Sequence, residues 1–111
     1  MRKNAVVAGT GFEGRTNEVR SHCKVGKKVI LIREPNNNFD ENAIAVYLEV
    51  PKLFGILGSS EIQIGYVKAS TAKSLAKKMD KGVELSASVI SYFAPSGKEF
   101  PRVSIEVTDE I

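Results

Sequence analysis

Hydrophobic and polar positions alternate with period two along most of the chain, the signature of half-buried strands. Asn4 to Ala8 predicts a short apolar strand. Lys28 to Arg33, with Val29, Ile30, Leu31 and Ile32 in succession, predicts a strand buried on both faces. Ala43 to Val50 alternates cleanly, turning Ile44, Val46, Leu48 and Val50 one way and Ala45, Tyr47 and Glu49 the other. Glu61 to Val67 follows, with Ile62, Ile64 and Tyr66 on one face and Gly65 leaving room for a close approach. The period then changes. Ala72, Leu75, Ala76 and Met79 recur at i, i+3, i+4 and i+7 with Lys73, Lys77 and Lys78 outside, so the spacing predicts a helix from an N-cap at Ser70 to Lys81, stopped by Gly82. Val83, Leu85, Ala87 and Val89 resume the alternation. Beyond a turn at Pro95, Ser96 and Gly97, the run Val103, Ile105, Val107 returns as a hairpin partner. Arg15 to Cys23 holds Val19 as its one sizeable apolar residue, so it predicts a loop, with His22 exposed on it.

Five or six short strands and one main helix, without regular strand-helix alternation, predict a mostly β fold, a small closed or nearly closed antiparallel barrel. Closure removes vulnerable sheet edges. The 111 residues form a single domain, 1–111, which rules out a two-domain enzyme. With 42% hydrophobic residues, a chain of this length buries enough surface for one core without covalent staples.

One cysteine, Cys23, and one histidine, His22, supply neither an internal disulfide nor a four-ligand zinc site, so no metal and no cofactor are expected. No apolar run of about 18 residues and no secretory leader pattern stand in the sequence, and a cytoplasmic location without membrane contact is the expectation. The net charge of +3 hides an asymmetry. Residues 1 to 33 carry eight basic and two acidic residues, whereas residues 34 to 67 carry one basic and five acidic ones. A positive third beside an acidic loop suits an anionic partner met at a defined place, although at +3 overall a solvated surface is the reading with more weight.

Gly9-Thr10-Gly11-Phe12-Glu13-Gly14 is a literal G-x-G-x-x-G after a strand, with Glu34 twenty residues beyond Gly14. In a dinucleotide-binding unit those glycines seat a pyrophosphate on a helix N-terminus. With a loop expected from Arg15 and no crossover helices later, a flexible glycine loop beside a ligand is the better reading, and nucleotide binding the lesser alternative. The second loop, Glu34-Pro35-Asn36-Asn37-Asn38-Phe39-Asp40-Glu41-Asn42, is the most unusual text in the chain. Pro and three Asn residues account for a sharp turn. They do not account for Phe39, an aromatic among polar residues. A calcium loop is excluded, because Ile44 stands where a third oxygen ligand belongs.

That second loop running into Ala43-Ile44-Ala45-Val46, with Ile64-Gly65-Tyr66-Val67 after it and Val6-Val7-Ala8-Gly9 before, closely resembles the HIRAN domain, over nearly the whole chain. The family occurs alone in bacteria and phages and at the N-terminus of helicase-like ATPases that remodel stalled replication forks. The resemblance implies a modified OB-like β-barrel that binds single-stranded DNA, preferring a free 3′ end, in DNA repair or fork processing. It implies a pocket built from Phe12 in the first loop, Asn37, Phe39 and Asp40 in the second, and Tyr66 after the Ile-Gly dipeptide. The chain departs from the family pattern at Asn38, where Pro is frequent, at Phe39, where Tyr is found, at Gly11, where an end-binding member has Arg, and at Tyr66-Val67-Lys68, which lacks the usual Pro.

Independently of the family, Phe12 and Phe39 offer faces for bases, and Arg15, Lys27 or Lys28 can meet the phosphate backbone. Tyr66 shares a face with Ile62 and Ile64 and reads as either packing or contact. Adjacent His22 and Cys23, and adjacent Asp40 and Glu41, are not arranged as base and nucleophile or as acid and base, so no catalysis is expected. The alternatives are a protein-interaction adaptor on the same barrel and a small nucleotide-dependent enzyme. A helicase-like or nuclease partner supplied in trans is expected. The apolar insert from Pro51 to Gly58 either folds over the barrel end, the favoured reading, or supports self-association through Leu53, Phe54, Ile56 and Leu57.

Overall fold

In the computed structural model of the chain, the described residues are 1–11, 15–51, 56–93 and 100–109. They form β1 (Arg2–Ala8), α1 (Arg15–His22), β2 (Lys28–Arg33), β3 (Ile44–Pro51), β4 (Ser59–Val67), α2 (Ala69–Asp80), β5 (Leu85–Phe93) and β6 (Arg102–Asp109). The strands close into an antiparallel barrel in the order β1-β4-β3-β2-β5-β6, with β6 paired back to β1 from Arg2↔Thr108 to Val7↔Val103. The fold is the expected one, a six-stranded barrel with one main helix. The turn at Pro95 to Gly97 lies outside the described residues, but β5 and β6 pair as the predicted hairpin, Val89 opposite Ile105. Among the described residues no helix is long and apolar enough to cross a membrane, and no group of three or more His, Cys, Asp or Glu side chains is placed to hold a metal ion.

Alternation builds the core. Ala5 and Val7 of β1, Ile44, Val46 and Leu48 of β3, Val89 of β5, and Val103, Ile105 and Val107 of β6 all turn inward, and α2 adds Ala72, Leu75 and Ala76 from its apolar stripe. The strand β2 departs from expectation. Val29 is fully buried and Leu31 packs against the core, whereas Ile32, on the opposite face of the strand, is exposed, so β2 turns one face to the barrel interior and the other outward.

The helix α2 begins two residues earlier than predicted, at Ala69. Its N-cap is Lys68 rather than Ser70, because the Lys68 N–H is still bonded to the Val6 carbonyl of β1 while its own carbonyl accepts from Thr71 and Ala72. The last strand pairing thus sets where the helix starts. At the other end Gly82, at φ +86°, reverses the chain as expected, its N–H on the Met79 carbonyl and the Val83 N–H on that of Lys78.

The segment from Arg15 is a helix, not the expected loop. It has no broad stripe, but Val19 and Cys23 stand i and i+4 and are both buried in the core cluster, and two such contacts hold eight residues in place. His22 accordingly sits half-buried in the last turn of α1 rather than exposed on a loop. This helix does not revive the dinucleotide reading. A pyrophosphate site of that type needs parallel strands flanking the crossover, whereas β1 and β2 are not neighbours and all pairings here are antiparallel.

Candidate functional site

The second loop joins β2 to β3, and its foot is closed by the Glu34 N–H on the Ala43 carbonyl at 2.9 Å. Asn37 organises the interior. Its Oδ1 accepts from the backbone N–H groups of Phe39 (2.9 Å) and Asp40 (3.1 Å), and its Nδ2 donates to Glu34 Oε1 at 3.0 Å. Asp40 Oδ1 in turn accepts from the Asn42 N–H at 2.8 Å. These are the local side-chain to backbone bonds that Asn and Asp favour in turns. They fix a loop on whose crest the Phe39 ring is 98% exposed. The Asp40 carboxylate keeps Oδ2 without a protein donor among the described residues. Arg33 braces the loop from outside, its Nη1 donating to the Ala43 carbonyl (3.1 Å) while Nε and Nη2 grip both carboxylate oxygens of Asp80 at the end of α2 (3.0 and 3.2 Å).

Tyr66 belongs to this loop rather than to the core. Between β3 and β4 the register passes from Val46↔Gly65 to Tyr47↔Gln63, so Ile64 is an extra residue and the alternation slips by one. Val67 therefore follows Ile64 inward, and Tyr66 turns out, its hydroxyl donating to Glu34 Oε1 at 2.9 Å. Gly65 leaves room for a close approach, and what approaches is protein. A Cβ there would collide with the Ala8 carbonyl oxygen of β1 and stand 2.8 Å from Val7 Cγ1.

The first loop reaches the same place from the other side. Gly9 turns at φ +78°, and the buried Thr10 hydroxyl donates to the Pro101 carbonyl at 2.6 Å, tying the loop to the start of β6. Arg15, at the start of α1, donates from Nη1 to the Gly9 carbonyl (3.2 Å) and holds its guanidinium 5.6 Å from the centre of the Tyr66 ring. Gly11 lies directly under the ring of Phe100, which is 59% exposed.

Arg15, Asn37, Phe39, Asp40 and Tyr66 are thus brought into one connected surface, with Glu34 and Phe100 as members that sequence reasoning missed. Phe100 carried the same signal as Phe39, an aromatic among polar and Pro residues outside any alternating run. Phe12 lies outside the described residues. Lys27 and Lys28 are not part of this surface. They stand at the opposite end of β2, about 17 Å along a six-residue strand, where they border a shallow pocket with Glu49, Pro51 and Ser59. Ile56 and Leu57 of the insert are 81% and 64% exposed, so these two do not fold over the barrel end. Leu53 and Phe54 lie outside the described residues.

The assembled surface offers exposed aromatic faces, one cation over an aromatic ring, and a carboxylate oxygen open to a donor. Such a set suits unpaired bases and a terminal hydroxyl better than a phosphate run.

The sequence model of the HIRAN domain matches residues 4–108. Among solved structures, the chain is similar to a protein from Lactobacillus plantarum, at 21% identity and a TM-score of 0.67 over 96% of this chain and 92% of that one. It is also similar to the HIRAN domain of human HLTF, at 24% identity and a TM-score of 0.60 over 97% of this chain and 74% of that one. No curated protein matches the chain.

Proposed function

The chain belongs to the HIRAN domain family, a family of DNA-binding domains, and from that premise we propose that it is a non-catalytic module that binds single-stranded DNA at a free 3′ end. The observation that carries this reading is Phe39, a 98% exposed ring on a loop whose backbone is bonded in place. An aromatic left in water on a rigid support is pre-organised to stack on a base, and each such stack contributes about 1 to 3 kcal/mol. Phe39, Phe100 and Phe12 hold the last bases, and Asn37 keeps the loop in shape. Arg15 on Tyr66 supplies positive charge beside them.

Asp40 accepts the terminal 3′ hydroxyl at Oδ2. A carboxylate is acceptor-only when ionised, so it welcomes a hydroxyl and repels a phosphate. Lys27 and Lys28, at the far end of β2, serve the end pocket less well than their charge suggested. Titration of labelled single strands ending in a 3′ hydroxyl or a 3′ phosphate, and of circular single strands, tests the reading. Tightest binding to the hydroxyl end is expected, and equal affinity for all three would end the claim.

A second surface supports the adaptor reading as an addition. Ile56 and Leu57 stand exposed on the β3–β4 connection, at the opposite end of β3 from the Phe39 loop. They offer a contact for self-association or for a helicase-like or nuclease partner in trans, which sedimentation of the wild type against Leu57→Ser resolves.

A further inference from the structure

The outer face of α2 carries Lys73 and Lys77, and Lys81, the residue that caps its C-terminus, continues the row at i+8; all three are exposed. Successive members of this stripe rise about 6 Å along the helix axis. The helix has no acid in its first turn, and its single acid, Asp80, has both carboxylate oxygens on Arg33. Lys78, off the stripe, lies 3.9 Å from Asp109. No acid is paired with Lys73, Lys77 or Lys81 among the described residues. Like charges four residues apart destabilise a helix, and a face kept only for solubility gains by alternating the sign. A row of three unmatched lysines is therefore held against its own repulsion, and a polyanion is what relieves it.

Position strengthens the argument. The start of α2 follows Tyr66 by three residues, and its last residue, Asp80, grips Arg33, whose guanidinium also bonds the Ala43 carbonyl at the foot of the Phe39 loop. The helix is thus tied at both ends to the surface described above.

We propose that the Lys73–Lys77–Lys81 stripe is a second nucleic-acid contact, a track for the phosphodiester backbone of the strand whose end lies at the Phe39 loop. This rests on the function proposed above and adds to it the route of the strand. Lysine suits the task because it meets phosphates as a mobile point charge without fixing register or sequence.

The test compares linear single strands of about four and about sixteen nucleotides. The variant Lys73→Gln/Lys77→Gln/Lys81→Gln should bind the long strand about tenfold more weakly at low salt, with a salt slope shallower by about 2, and the short strand as the wild type does. The corresponding triple Arg variant should restore the long-strand affinity. The Gln variant should melt no lower than the wild type, since it removes repulsion. Equal affinity of wild type and Gln variant for the long strand would overturn the proposal, as would an equal loss on both lengths. DNA binding unchanged while retention on immobilised polyglutamate is lost would overturn it in favour of an acidic protein partner. A circular long strand bound as well as a linear one, and still released by the Gln variant, would end the 3′-end reading and leave the lysine track standing.

Discussion

The Tyr66 hydroxyl donates to Oε1 of Glu34 at 2.9 Å, the same oxygen that accepts from Asn37 Nδ2, so the strand β4 and the Phe39 loop share one acceptor. Tyr66→Phe should cost about 1 kcal/mol in urea unfolding, the worth of one such bond, and keep the ring on which Arg15 lies. Tyr66→Ala removes both and should weaken single-strand binding several-fold more than Tyr66→Phe does. Equal binding by the two variants would separate the Arg15 contact from function.

The Gly65 position decides whether the barrel closes. Its missing Cβ makes space for the Ala8 carbonyl where β1 and β4 pair, at Val7↔Val67 and Ala8↔Tyr66. Because the obstacle is backbone, Gly65→Ala should destabilise by about 3 kcal/mol, read as a lowered denaturation midpoint or loss of soluble protein. An unchanged midpoint would show that the seam yields easily.

Most of this architecture was legible in the alternation, because a half-buried strand writes its burial into every second residue. What was not legible has local causes. Tyr66 was read on the face of Ile62 and Ile64, and only the bulge at Ile64, which no composition announces, turns it outward. The helix α1 was missed because, among the described residues, it adds only Val19 and the following Cys23 to the buried core, too short a pattern to stand out from a loop. The Phe39 loop was legible by its odd aromatic; Phe100 carried the same local signal, but its place beside the first loop depends on the long-range β1–β6 pairing that brings it over Gly11.

The contact of Gly11 with Phe100 differs from that of Gly65 in its energetic sign. The atoms a new Cβ would meet at Gly11 belong to a side chain at the surface, which can swing away. Gly11→Ala should therefore leave the melting temperature within a few degrees of wild type and still weaken single-strand binding as much as Phe100→Ala does, about tenfold. Fluorescence anisotropy and a thermal melt on the two variants check both halves.

Burial pushes the Cys23 thiol up from 9.0 to about 11. A raised value means that the folded chain keeps a proton which the unfolded chain releases, so this contribution to stability is complete below about pH 9 and is lost as the pH rises towards 11. The loss amounts to about 2 to 3 kcal/mol. Cys23→Ala should flatten the stability profile over that window by this amount relative to wild type. A thiol reagent at pH 8 should modify the folded protein slowly and the urea-unfolded chain at once; equal rates would contradict the burial.

Phe39 separates function from stability most cleanly. A ring 98% exposed has almost no buried area to lose, so Phe39→Ala should leave the denaturation midpoint unchanged or slightly raised, while every single strand, whatever its end, binds about tenfold more weakly. The neighbouring Asp40→Asn should behave differently. Its Oδ1 can still accept from Asn42, so the loop stays formed, but the charge proposed to sort a hydroxyl from a phosphate is gone. The affinity for hydroxyl ends should fall modestly, that for phosphate ends should rise, and the two should converge. Phe39→Tyr keeps the aromatic face and should bind no more weakly than wild type. Loss of end discrimination in Phe39→Ala with its retention in Asp40→Asn would reverse these assignments, placing the sorting of ends on the aromatic and not on the carboxylate.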